Sequence, residues 1–209
     1  MNYSCVGFGL NLRDLDYRFN PSSGYDAQIN FVAGTKKILK NRQIVDLEGF
    51  ENSYDTLQLK TLQLELDIAA AYYVPIKKWA AIKTGLTGAL RYNQQTLRPN
   101  ELLRIGGNKT LRGFDEESIF TDKYFFGTIE FRILFDQNSY LTIPFFDIGM
   151  VNTINDGNSA SDFVFGTGMG LNFGTTAGIF NLSFAAGKNS GNPLDFSKMK
   201  IHFGYVNLF

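Results

Sequence analysis

The stretch Phe163-Val164-Phe165-Gly166-Thr167-Gly168-Met169-Gly170-Leu171-Asn172-Phe173 decides the fold class. Phe163, Phe165, Met169, Leu171 and Phe173 fall on one side of an extended chain, and Gly166, Gly168, Gly170 and Asn172 fall on the other, because successive side chains of a strand point to opposite faces. The glycines superficially suggest a phosphate-binding loop, but their period is 2 and no helix follows, so they read as strand positions where backbone or a loop must approach closely.

The same alternation extends outward in both directions. Downstream, Phe180, Leu182 and Phe184 oppose Asn181 and Ser183, and Met199, Ile201, Phe203, Tyr205 and Phe209 oppose Lys198, Lys200 and His202. Upstream, Phe146, Ile148 and Met150 oppose Asp147 and Gly149, while Phe125, Ile129, Phe131, Ile133 and Phe135 oppose Thr128, Glu130 and Arg132. Further back, Ile82 to Leu90 alternate with Lys83 to Arg91, Tyr25 to Phe31 with Asp26 to Asn30, and Val6 to Leu12 with Cys5 to Asn11. Only Leu62 to Tyr72 also fits helical spacing; Leu64 and Ile68 would then lie on the wrong face, which favours a strand. About nine strands are expected, in an all-β, antiparallel chain.

Composition agrees, with 20 Phe, 10 Tyr and 21 Gly against 5 Pro in 209 residues. Lys+Arg and Asp+Glu stand at 20 each, so there is no basic field for nucleic acid. Cys5 is the single cysteine and His202 the single histidine, which leaves no ligand set for a structural zinc. The longest apolar stretch, Ile68 to Ile76, is far short of the roughly 18 residues of a spanning helix. Met1 to Gly9 lacks a basic leader and already alternates, so it reads as a strand under way.

The connections discriminate a membrane barrel from a soluble sandwich. Short turns around Pro21-Gly24, Pro75-Lys78, Asp136-Ser139 and Thr175-Gly178 alternate with longer polar segments near 36–56, 93–123, 152–162 and 188–197. Outer-membrane barrels sort their loops this way, with apolar residues toward lipid and glycine or polar residues toward a wet lumen. Long loops are then expected outside the cell and short turns in the periplasm, with Phe209 in the interfacial aromatic girdle. Because an odd number of strands cannot close antiparallel edge to edge, residues 1–209 are expected to be the C-terminal part of a larger barrel.

The longest segment contains Gly106-Gly107 and Leu111-Arg112-Gly113-Phe114, followed by Glu130-Phe131-Arg132, Phe145-Phe146-Asp147-Ile148-Gly149, Gly166-Thr167-Gly168-Met169-Gly170 and the terminal Phe209. In this order and at these strand positions, the motifs resemble the C-terminal barrel of the bacterial surface antigen superfamily, which holds Bam-type insertases and two-partner secretion transporters. The resemblance is carried by motifs in the C-terminal half and by pattern alone in the N-terminal half. It implies a barrel of about 16 strands in the bacterial outer membrane, preceded by further strands and periplasmic modules. It also implies that loop 93–123 folds into the lumen, where Arg112 meets Glu130 and Asp147.

Alternation puts both carboxylates on the polar face, where a guanidinium can bridge them with bidentate bonds. Gly113 would allow the bend and Phe114 would pack against inner-wall groups such as Phe145. Phe203, Tyr205 and Phe209 mark the membrane-insertion end. His202 and Ser183 face the same way, but no orienting acid is placed beside them, so the histidine reads as a hydrogen-bonding wall residue rather than a catalyst. Asp115, Glu116 and Glu117 read as a solvated acidic run rather than a calcium site, and Cys5 as a small wall residue.

The function so implied is a non-enzymatic machine that inserts or exports unfolded client polypeptides, touches outer-membrane lipid, and uses no cofactor, metal or nucleic acid. The alternatives are a transporter for one dedicated secreted partner, or a membrane anchor for a patatin-type lipase domain.

Overall fold

A computed structural model describes residues 2–40, 58–155 and 158–207. Among the described residues ten strands form one antiparallel sheet: β1 (Asn2–Leu15), β2 (Gly24–Lys37), β3 (Lys60–Lys77), β4 (Ala80–Asn93), β5 (Leu103–Ile105), β6 (Ile119–Leu134), β7 (Tyr140–Asn155), β8 (Asn158–Thr175), β9 (Gly178–Lys188) and β10 (Lys200–Val206). The order is β1-β2-β3-β4-β6-β7-β8-β9-β10, each strand paired with the next in sequence, while β5 pairs with the start of β6. Nine of the ten lie on this path; β5 was too short for an alternation pattern to reveal it. Phe209 lies outside the described residues.

The apolar set of each strand makes one exposed face. Val6, Phe8, Ile29, Tyr72, Leu86, Phe125, Ile129, Ile148, Phe163, Met169, Ile201 and Phe203 all stand open on it, an arrangement unstable in water and natural against hydrocarbon. The ambiguous segment is β3, whose Leu64, Leu66, Ile68 and Ala70 pair in register with Tyr92, Leu90, Gly88 and Leu86. Pro75 sits beside the register shift between Pro75 and Lys77, where a ladder tolerates a residue without an N–H. The β3–β4 turn therefore lies at residues 78–79, slightly later than Pro75-Lys78 suggested.

Two expected boundaries need correction. Residues 152–155 and 158–161 are strand, not loop: Asn152↔Ser161, Thr153↔Ala160, Ile154↔Ser159 and Asn155↔Asn158 continue the ladder of β7 and β8. Residues 158–161 are exposed, so the strands run on past the apolar band and lose their apolar alternation without losing their hydrogen bonds. The long segment 93–123 is likewise shorter as a loop, because β6 already begins at Ile119 and zips with β5 through Leu103↔Thr121 and Ile105↔Ile119. The loop proper is residues 106–118.

Burial is concentrated where that loop lies. Ile105 and Leu111 from the loop join Phe126, Val151 and Val164 from β6, β7 and β8 in one buried cluster, with Phe114, Ile119 and Tyr124 packed on it.

Candidate functional site

The loop starts its inward course on two glycines with positive φ, Gly106 at 114° and Gly107 at 92°. The turn is closed locally: the Gly106 amide donates to Thr110 Oγ1 at 2.9 Å, and the Gly107 amide donates to the Leu111 carbonyl at 3.0 Å. These bonds satisfy backbone groups that the strand ladder no longer serves. Leu111 is fully buried, which pins the loop apolar side down and delivers Arg112 to the concave wall.

Arg112 meets both Asp147 and Glu130. Its Nε donates to Asp147 Oδ2 at 2.7 Å and its Nη2 to Asp147 Oδ1 at 2.7 Å, a two-pronged match of guanidinium and carboxylate. Nη1 donates to Glu130 Oε1 at 2.9 Å. The guanidinium carbon lies 3.6 Å from the centre of the Phe145 ring, which covers one face of the cation. Asp147 side-chain exposure is 2 % and that of Arg112 is 13 %, so the pair is shielded from bulk water, where removing either partner is costly.

The carboxylates have further partners that the sequence reading missed. Glu130 Oε2 accepts from Arg132 Nε at 2.9 Å and Nη2 at 2.8 Å, and its Oε1 also faces Lys83 Nζ at 3.3 Å. Thr128 Oγ1 donates to Asp147 Oδ1 at 2.9 Å. The Arg132 guanidinium is in turn stacked near Tyr140, at 4.4 Å from its ring centre. The signal for Arg132 was available, since it stands two residues after Glu130 on the same face; Lys83 is brought in by the β4–β6 register, Lys83↔Glu130.

Beyond Arg112 the loop backbone crosses successive strands, and a glycine lies under the crossings. A Cβ on Gly166 of β8 would collide with the Arg112 carbonyl oxygen, and one on Gly187 of β9 would strike the Gly113 carbonyl and the Phe114 ring. Gly113 itself has φ 91°, and a Cβ there would sit 2.6 Å from the Ala186 carbonyl carbon. Only glycine adopts that conformation at no steric cost while lying flat on a strand. The resemblance to a phosphate loop is thus replaced by a seat for polypeptide backbone.

Phe114 and Phe145 have different duties from those expected: Phe145 carries the Arg112 cation, whereas Phe114 packs on the Ile105–Leu111–Phe126–Val151–Val164 cluster. The Phe114 ring also lies over Gly187 of β9, where a Cβ would stand 2.8 Å from its Cε2.

His202 and Ser183 are direct register partners across β10 and β9. Their polar atoms go to the loop: Ser183 Oγ donates to Asn108 Oδ1 at 3.2 Å, and His202 Nε2 accepts from the Gly113 amide at 3.2 Å. In the acidic run, Asp115 pairs with Lys200 at 2.8 Å and Glu116 Oε2 accepts from the Asn108 amide at 3.3 Å. Phe203 and Tyr205 lie on the open outer face, grouped with Phe180 at ring separations of 6.0 and 4.9 Å.

At the short-turn end of the sheet, Asp16 organises residues 16–23 by accepting from the amides of Tyr17, Ser22 and Ser23 and from the Ser22 hydroxyl. Partial burial pushes its carboxyl up, but these hydrogen bonds outweigh that effect and hold it below its usual value.

An exposed apolar face, an opposite polar face and a loop docked on it through an arginine held by buried carboxylates describe a membrane barrel wall rather than a soluble sandwich. No curated protein matches the chain. The family model of the Omp85 superfamily domain matches residues 2–207. The chain belongs to the Omp85 superfamily, the outer-membrane β-barrels of polypeptide assembly and translocation.

Proposed function

We propose that this chain forms the client-handling wall of an outer-membrane machine that inserts or passes unfolded polypeptides without covalent chemistry. The observation that carries the reading is the seating of the loop: Arg112 is held by Asp147 and Glu130 while its backbone lies on Gly166. A loop so anchored is a rigid part of the lumen and can oppose or guide a chain that enters it.

The outer aromatic residues then meet lipid, with Phe203 and Tyr205 at the terminal strand anchoring it in the bilayer. Among the described residues β10 pairs only with β9, and its other edge carries backbone donors and acceptors suited to strand addition by a client. The lowered barrier comes from offering those partners at the membrane, where an unpaired peptide group is costly.

Arg112→Ala in the intact gene product is expected to impair client assembly while leaving membrane targeting in place. Normal client assembly together with unchanged heat-modifiability on gels would remove the anchoring role. A photo-crosslinker at Tyr205 identifies the client class: several different barrel proteins are expected in the adducts. A single secreted polypeptide there would replace insertion by dedicated secretion.

A further inference from the structure

The Arg112 anchor reaches only β6 and β7, yet the loop also touches the far end of the sheet. Gly113, with φ 91°, points its amide away from the strand ladders, where no backbone carbonyl receives it; the acceptor is His202 Nε2 on β10 at 3.2 Å. Gly113 and His202 are both buried, so without that acceptor the amide would be left dry and unpaired. Acceptance at Nε2 requires the neutral imidazole with its proton on Nδ1. Neighbouring contacts strengthen the same junction: Lys200 of β10 pairs with Asp115 at 2.8 Å, and Asn108 approaches Gly204 closely enough that a Cβ there would lie 2.9 Å from its Nδ2.

We propose that His202 is a positioning residue, the latch by which the inward loop holds the terminal strand β10, so that seating of the loop and release of β10 are coupled. The latch is proton-sensitive by construction, since an imidazolium donates at both nitrogens and cannot accept from the Gly113 amide. The charged groups facing it are Arg112, Asp115 and Glu116 from the loop and Lys200 from its own strand; Lys109 lines the same cleft, and β9 presents the uncharged Ser183 opposite. The use of this coupling rests on reading β10 as the working edge; the latch itself does not.

Hydrogen exchange of the intact protein in membranes or detergent tests it on peptides covering 110–116 and 200–206. His202→Phe is expected to speed exchange in both peptides by about fivefold, the factor of one lost hydrogen bond. His202→Gln, whose side-chain oxygen accepts from the same amide, is expected to restore protection. Lowering the pH from about 7.5 to about 5.5 is expected to loosen both peptides in the unmutated protein, after correction for intrinsic rates, and to leave His202→Phe unchanged. Unaltered protection in His202→Phe, failure of glutamine to rescue, or an equal pH response in both proteins would each overturn the latch. Client assembly by Arg112→Ala is scored separately, so the latch and the functional reading can fail independently.

Discussion

Two ion pairs of the same chemistry stand on the concave wall in different surroundings. Arg91 of β4 meets Asp67 of β3 at 2.9 Å with Asp67 side-chain exposure at 45 %, whereas Arg112 meets Asp147 at 2.7 Å with Asp147 at 2 %. The strands around them differ likewise: β1 is exposed along almost its whole length, its polar-face Asn11 included, while β8 buries Val164 completely on that same face. Alternation is equally clear in both regions. The difference is the loop, which packs on the β6–β9 part of the wall. Identical strand chemistry therefore becomes a wetted surface in one place and a packed, charged core in the other.

The strongest way to break this comparison is to remove one carboxylate from each pair. Asp147→Ala is expected to cost about 3 kcal/mol, the loss of a buried partner that leaves Arg112 with Glu130 alone, and Asp67→Ala about 0.2–1 kcal/mol, as for exposed pairs. Equal shifts in the urea midpoint of the folded gel band would show that the loop does not shield its anchor. Next, Arg112→Lys keeps the charge but loses the fork that grips both Asp147 oxygens, and is expected to lose about 2–3 kcal/mol. If lysine matches arginine in unfolding midpoint and client assembly alike, charge alone suffices and the bidentate geometry is incidental.

A smaller contrast uses glycines. Gly166→Ala drives a methyl into the Arg112 carbonyl, whereas at Gly7 the nearest atom, Val32 Cγ2, would be 3.4 Å away. The first is expected to destabilise by about 1–2 kcal/mol and to open the loop to protease; the second to fall within about 0.5 kcal/mol. Protease resistance of the loop in Gly166→Ala would contradict the close seating.

The smallest effect belongs to the short-turn end. Asp16 is held below the unfolded carboxylate value of about 3.9, so its contribution is present above that pH and is lost as pH falls through the lower folded value. The Ser22 and Ser23 amides should lose exchange protection on acidification through that range, and Asp16→Asn should flatten the profile. A pH-independent turn in the unmutated protein would mean that these bonds do not depend on the carboxylate charge.

Much of the wall was legible in advance because strand periodicity is local: each pair of neighbouring residues declares opposite faces. Glu130, Arg132 and Asp147 could be assigned to the concave face on that basis. The continuation of β7 and β8 was not legible, since residues 152–155 and 158–162 lose the apolar alternation, even though the ladder continues. Nor was the division of labour between Phe114 and Phe145, which depends on the direction of the chain after Gly113. His202 illustrates the limit well: the sequence marked it as a wall residue facing Ser183, and only the folded loop supplies the amide that it accepts.

By itself, the sequence determined an all-β antiparallel wall with an apolar and a polar face, and a long inward-capable segment carrying Arg112, Gly113 and Phe114. Those properties follow from side-chain alternation and from glycine placement, which act over a few residues. Tertiary structure alone decided that Arg132 and Lys83 join Arg112 on Glu130, that Gly166 and Gly187 bear the loop backbone, and that β10 is tied back through His202. Apart from Arg132 with Glu130, those contacts join residues 47 to 89 positions apart, and their strength arises from the shared burial that the docked loop creates.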